Sequence, residues 1–175
     1  MNERPRSHIA ATICGVPVFI HLSTPFGGLV FYGFAGSGAG LIELAYYCIA
    51  AVLVVVVHTA GHFAAVRSLR LAVFAVYFSA IHGKCATQSA CAVRDMLYLS
   101  AGGILAQFVL LLLTLLFIEV FDLPTSVLGR SIVNTFTFYN GVLLLVNAIP
   151  WKTRSGLKND GFVLWQVVIA ALKKP

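Results

Sequence analysis

The chain has 175 residues, 59% of them hydrophobic and only 10% charged, with a mean hydropathy of +0.92. Soluble domains carry about 25% charged residues, so an ordinary soluble globular domain is excluded, and the length fits a single membrane domain over residues 1–175. At ~20 residues per crossing there is room for about four spans and their loops.

The N-terminal stretch holds Glu3, Arg4, Pro5 and Arg6 and runs into no clean apolar region with a small-residue cleavage site. It predicts no cleaved signal peptide. A first span is predicted over residues 16–35, the weakest of the set, because Pro17, His21, Pro25 and the pair Gly27-Gly28 interrupt it. Glycines and serine at 36–40 make a turn, and a second span follows over 41–66, with Arg67 and Arg70 marking its exit to water. Residues 71–90 are apolar and aromatic yet too short to cross, and they read as a β-hairpin at the membrane interface. A third span over 96–121 ends at Phe121-Asp122-Leu123-Pro124, a fourth over 131–149 stops at Pro150, and 161–172 reads as a short interfacial helix. The expected fold is an all-α integral membrane bundle of about four transmembrane helices with a small interfacial β-hairpin.

Charge orients such a bundle, because cytoplasmic loops collect Lys and Arg. With four spans, the N-terminus, the 67–95 loop and everything after Pro150 fall on one side. That side holds Arg4, Arg6, Arg67, Arg70, Lys84, Arg94, Lys152, Arg154, Lys158, Lys173 and Lys174, and the other keeps only Arg130. The N-terminus is therefore expected in the cytoplasm. The net charge of +6 is met by anionic lipid headgroups and requires no nucleic acid. The four cysteines, Cys14, Cys48, Cys85 and Cys91, form no CxxC pair, so neither a disulfide framework nor a zinc-cysteine site is expected.

The chemistry lies in His58-Thr59-Ala60-Gly61-His62, directly after four valines. Residues at i and i+4 share a helix face, so both imidazoles can grip one metal ion. The spacing is that of the HExxH zinc-protease motif, with Thr59 where the glutamate stands. In the topology above, Asp160 of Asn159-Asp160-Gly161 lies on the same side as the two histidines. Two histidines and a carboxylate would leave a fourth position on zinc open, as catalytic rather than structural sites do. Read without the rest of the chain, the same two histidines fit hydrogen-bonded bundle residues, or ligation of haem or chlorophyll by one of them.

Four stretches, in order, resemble the site-2 protease family of intramembrane zinc metalloproteases in its minimal form. They are Val16 to His21, similar to the strand that leads into the first helix; His58 to His62; Leu99 to Gln107, similar to the start of the next core helix; and Asn147-Ala148-Ile149-Pro150 followed by Asn159-Asp160-Gly161. The likeness covers about residues 15–170. It implies one Zn2+ held by His58, His62 and Asp160, and the charge-based topology above puts that site on the cytoplasmic side. It also implies that Asn147 and Gln107 stand behind the ligands or on the substrate side, as would His21 unless it is a structural or interfacial histidine, and that a hairpin at 71–90 helps present an extended substrate. Gly103 stands where the family has proline and Gln107 where asparagine is common, and the Pro150-to-Asp160 loop looks long.

Thr59 bears on mechanism. The glutamate of such sites is the general base, a role that contributes ~10²–10⁴-fold, and a hydroxyl is too weak a base to replace it. Glu43 lies fifteen residues before His58, roughly 22 Å along a helix. Glu119 and Asp122 belong to the far side, and Glu3 and Asp95 have no motif around them. The expected function is a catalytically impaired or inactive site-2-protease-like metalloprotein that binds a transmembrane protein or peptide partner. The alternatives are an active intramembrane zinc endopeptidase, with a displaced base or with Thr59 as an engineered inactivation, and a metal-free structural subunit of a larger membrane complex.

Overall fold

Val16–Ile20 consists almost wholly of β-branched and aromatic residues, and it is a strand, not the opening of a span. The structure, a computed structural model, describes residues 9–13, 15–35, 38, 40–80, 83–87, 92–121, 125–152, 156 and 158–172. Glu3, Arg4, Arg6, His8, Cys14, His82, Cys91, Asp122, Arg154, Lys173 and Lys174 lie outside the described residues. The chain is mostly helical, with one small four-stranded sheet ordered β1-β2-β3-β4.

Strand β1 (Ile9–Ile13) pairs antiparallel with β2 (Val16–Ile20), and Gly15 between them takes the positive φ of +77° that glycine tolerates. Strand β2 then pairs in parallel with β3 (Val73–Phe78), where Phe19 stacks on Tyr77 with ring centroids 5.0 Å apart. Strand β4 (Gly83–Thr87) closes an antiparallel hairpin with β3. The β element expected at 71–90 is thus half of a larger sheet. Pro17 precedes the residues paired with β3, near a strand end where a missing donor matters least.

The first predicted span, 16–35, is corrected accordingly. Its helix α1 covers only Phe26–Ala35, and ten residues rise about 15 Å, half of a hydrocarbon core of about 30 Å. Pro25 stands immediately before that helix.

Helices α2 (Leu41–Ser68) and α3 (Val93–Val120) are long and apolar enough to cross a membrane. Helix α2 runs two residues past the expected 41–66, and α3 starts three residues before 96 and ends one before 121. Arg70, at φ 55°, ends α2: the Leu71 amide turns back to Val66 O, closing the last turn in left-handed backbone. Helix α2 is central, with Tyr47, Ala51, Val54 and Val55 packed against Phe31, Tyr139 and Leu143. Helix α3 instead shows Leu105, Phe108, Leu112, Leu116 and Val120 on its surface. An exposed apolar face of this extent suits lipid and not water.

The fourth predicted span, 131–149, is a helical run in three parts: α4 (Val127–Asn134), a π-helical turn (Thr135–Tyr139) and α5 (Asn140–Ala148). It begins four residues early, where the Ser126 hydroxyl accepts from the Gly129 amide and caps it. It ends just before Pro150, as the residue preceding a proline avoids the helical region. Helix α6 (Asp160–Leu172) fits the short helix expected at 161–172.

Candidate metal centre

His58 and His62 lie one turn apart in α2, against α3. The helices approach closely because small residues face each other. A Cβ on Gly61 would lie 2.2 Å from Gly102 O, and one on Gly103 would lie 2.5 Å from His62 Nε2 and 2.6 Å from His58 Cε1. Small residues permit such contact between membrane helices, and Gly103 gives up its own side chain to the two rings.

Asp160 comes to the same place from the start of α6. Asn159 secures it. Its Nδ2 donates to Val146 O at 2.7 Å and Ile149 O at 2.7 Å, and its Oδ1 accepts from the Trp151 amide at 3.1 Å and the Phe162 amide at 2.9 Å. One buried side chain therefore caps α6 and ties its start to Val146, Ile149 and Trp151. Gly161 lets α6 meet the end of α5, since a Cβ there would sit 2.1 Å from Ala148 O.

Three ligand atoms converge. His58 Nε2 and His62 Nε2 are 3.0 Å apart, and Asp160 Oδ2 is 3.3 Å from the first and 3.2 Å from the second. A tetrahedral ion with bonds of about 2.0–2.1 Å separates its ligands by about 3.3–3.4 Å, so the triangle fits one metal ion with little adjustment. Both imidazoles are held from behind. His62 Nδ1 donates to Leu99 O at 2.7 Å and His58 Nδ1 to Gln107 Oε1 at 3.0 Å. Gln107 Oε1 also accepts from Asn147 Nδ2 at 2.9 Å, which marks it as an acceptor toward His58. Protons fixed on both Nδ1 atoms leave the Nε2 atoms free to ligate, the usual outer-shell arrangement around metal-binding histidines. Without a metal, burial acts to raise the Asp160 carboxyl, but hydrogen bonds and charge from His58 and His62 in their protonated form outweigh it and hold it down at about 2. These three residues could hold a metal ion.

They open on a cavity of about 300 Å³, lined also by Lys84 and Cys85 of β4 and by Ser100, Asn147 and Trp151. Burial pushes the Cys85 thiol up to about 11, which keeps it protonated. Among the described residues, Asp160 is the only carboxylate lining the cavity. Thr59 is 2% exposed, and its hydroxyl donates back to Val55 O at 2.7 Å. Its side chain lies against Gly83 of β4, where a Cβ would collide with it.

Gln107 and Asn147 thus lie together behind His58. His21 does not join them: it is exposed, with Nδ1 2.7 Å from Ser23 Oγ, and it does not line the cavity. Sequence reasoning missed what Leu99 O, Asn159, Gly83 and Gly103 do. Only Asn159 had a local signal, as an Asn directly before a helix start.

No protein-family profile and no curated protein matches the chain. Among solved structures it is similar to the site-2 protease from Methanocaldococcus jannaschii, with a TM-score of 0.66 and 18% identity, over 94% of this chain and 73% of that one. At that identity the likeness concerns the fold, and the chain shares its fold with a site-2 protease.

Proposed function

We propose that this chain is a membrane-embedded zinc protein of site-2-protease fold, impaired in or devoid of peptide hydrolysis, that binds a transmembrane protein or peptide partner. One observation carries the reading: two histidines and an aspartate converge on a metal-sized triangle, while no second carboxylate among the described residues lines the cavity. His58, His62 and Asp160 would hold the ion, and Gln107 and Leu99 O would keep the imidazoles aimed. When bound, zinc supplies a Lewis-acidic position with one coordination site open. Thr59, buried and bonded to its own helix, offers no base beside it.

The reading includes one membrane domain over residues 1–175, about four crossings, the first made by α1 together with the residues that flank it because its ten-residue helix is too short to span alone, and a cytoplasmic N-terminus and metal site. The β2–β3 pairing supports that topology. The segment before α1 and the segment after α2 share one sheet, so the chain between them goes out and returns, α1 being the short outward leg.

Zinc per chain in detergent-purified protein tests the site. About one zinc is expected in the wild type, with equally strong loss in Asp160→Ala and His62→Ala. Equal zinc in all three would sink the assignment. In a cleavage assay with transmembrane-helix substrates the wild type is expected to be inactive. Cleavage that His58→Ala abolishes would establish the active-protease alternative.

A further inference from the structure

The run Val127–Ala148 holds one residue more than a regular helix would place between its halves. At about 100° per residue, Thr135 and Asn140 would face about 140° apart in an α-helix, and Ser131 and Asn140 would lie on opposite sides. Yet Ser131, Thr135 and Asn140 are buried at 1%, 0% and 0% exposure. The π turn at Thr135–Tyr139 reconciles them, because its wider i→i+5 turn absorbs the extra residue. On one side of it α4 packs against α2, and on the other α5 packs against α3.

Asn140 is the first residue past that turn, and Asn147 follows two turns later on the same face. Both reach Gln107. Asn140 Nδ2 donates to Gln107 O at 3.0 Å, and Asn147 Nδ2 donates to Gln107 Oε1 at 2.9 Å. That same oxygen receives His58 Nδ1. Asn140 is also a poor choice for packing, since its Oδ1 is buried with no donor among the described residues. A similarly sized apolar side chain would avoid that desolvation penalty, so stability does not account for an asparagine here.

We propose that the π turn is a register device for the metal centre. It turns Asn140 and Asn147 onto Gln107, which fixes His58 in its metal-ready orientation, so the two asparagines are positioning residues. The inference rests on the metal-binding reading above.

Cobalt titration of the full-length, detergent-purified chain tests it, with Co2+ alone as probe and its visible ligand-field spectrum as readout. Asn140→Leu, which removes the bond to the Gln107 backbone carbonyl, should weaken cobalt binding about 2–10-fold, the worth of one hydrogen bond, and should alter the spectrum. The same variant, metal-free, should melt no lower than wild type, which a merely structural asparagine would not allow. A second variant deletes Phe138, the π-turn residue exposed at 62%, and inserts one alanine after Leu144. It keeps Asn147 and the loop to Asp160 in place while turning Asn140 away, and should match Asn140→Leu. Wild-type affinity and spectrum in Asn140→Leu would overturn the proposal, whether or not the second variant folds. A wild-type chain that binds no cobalt would instead remove the metal reading, and this inference with it.

Discussion

Gly103 shows how much of the centre depends on a side chain that is missing. Both imidazole rings occupy the space its Cβ would take, so Gly103→Ala should displace them and lower zinc occupancy at least tenfold, with helical content by circular dichroism unchanged. Retained zinc would mean that the rings or the helices yield easily. Asp160 gives a pH test in the metal-free protein. Its folded pKa lies at about 2, below an ordinary carboxyl near 3.9. A depressed pKa stabilises the fold above the unfolded value, and that stability disappears as pH falls toward the folded one. Chelator-treated wild type should therefore lose melting temperature between about pH 4 and pH 2, and Asp160→Asn should lack that component. Parallel curves would show that the carboxylate adds nothing to the metal-free fold. The residues of the triangle were legible because i, i+4 spacing and an Asp-Gly pair are local signals. Gly103 was not, because its constraint comes from α2, forty residues away in sequence.

The α2–α3 pair is the frame on which the centre rests, and Gly61 against Gly102 is its tightest point. Gly61→Val should overpack that contact and destabilise the chain by about 1–3 kcal/mol, read as a lower melting temperature in detergent, with zinc affinity falling in parallel. An unchanged melt would mean that the helices are free to separate. Both long helices were legible from apolar length alone, within a few residues at each end. The short α1 and the π turn were not. Val16 to Phe34 is apolar throughout enough of its length to pass as a span, whereas its first five residues are committed to the sheet by partners at both edges. The π turn leaves no mark in composition, since a one-residue surplus shows only when the buried faces of α4 and α5 are both known.

At the scale of the whole molecule, the proposed topology predicts which ends of the helices face the cytoplasm. Cysteine placed at Ser68 should resist a membrane-impermeant thiol reagent added outside intact cells, and cysteine at Thr125 should react, with Cys14, Cys48, Cys85 and Cys91 replaced beforehand. The reverse pattern would invert the orientation. The proposed sidedness rests on the basic residues of the sequence, whereas the union of β1–β2 with β3–β4 was not legible there, because parallel pairing across two helices has no local signature. That union also fixes an order in time. Strand β1 can fold back on β2 as soon as both have been made, but β2 must wait for β3, more than fifty residues later, with α1 and α2 completed in between. Until then one edge of the hairpin presents unpaired backbone, the kind of surface from which misassembly starts. The last of the three ligands arrives later still, since Asp160 follows α5 while His58 and His62 precede β3. During synthesis the sheet can close first, and the proposed metal triangle is complete only once Asp160 has been made.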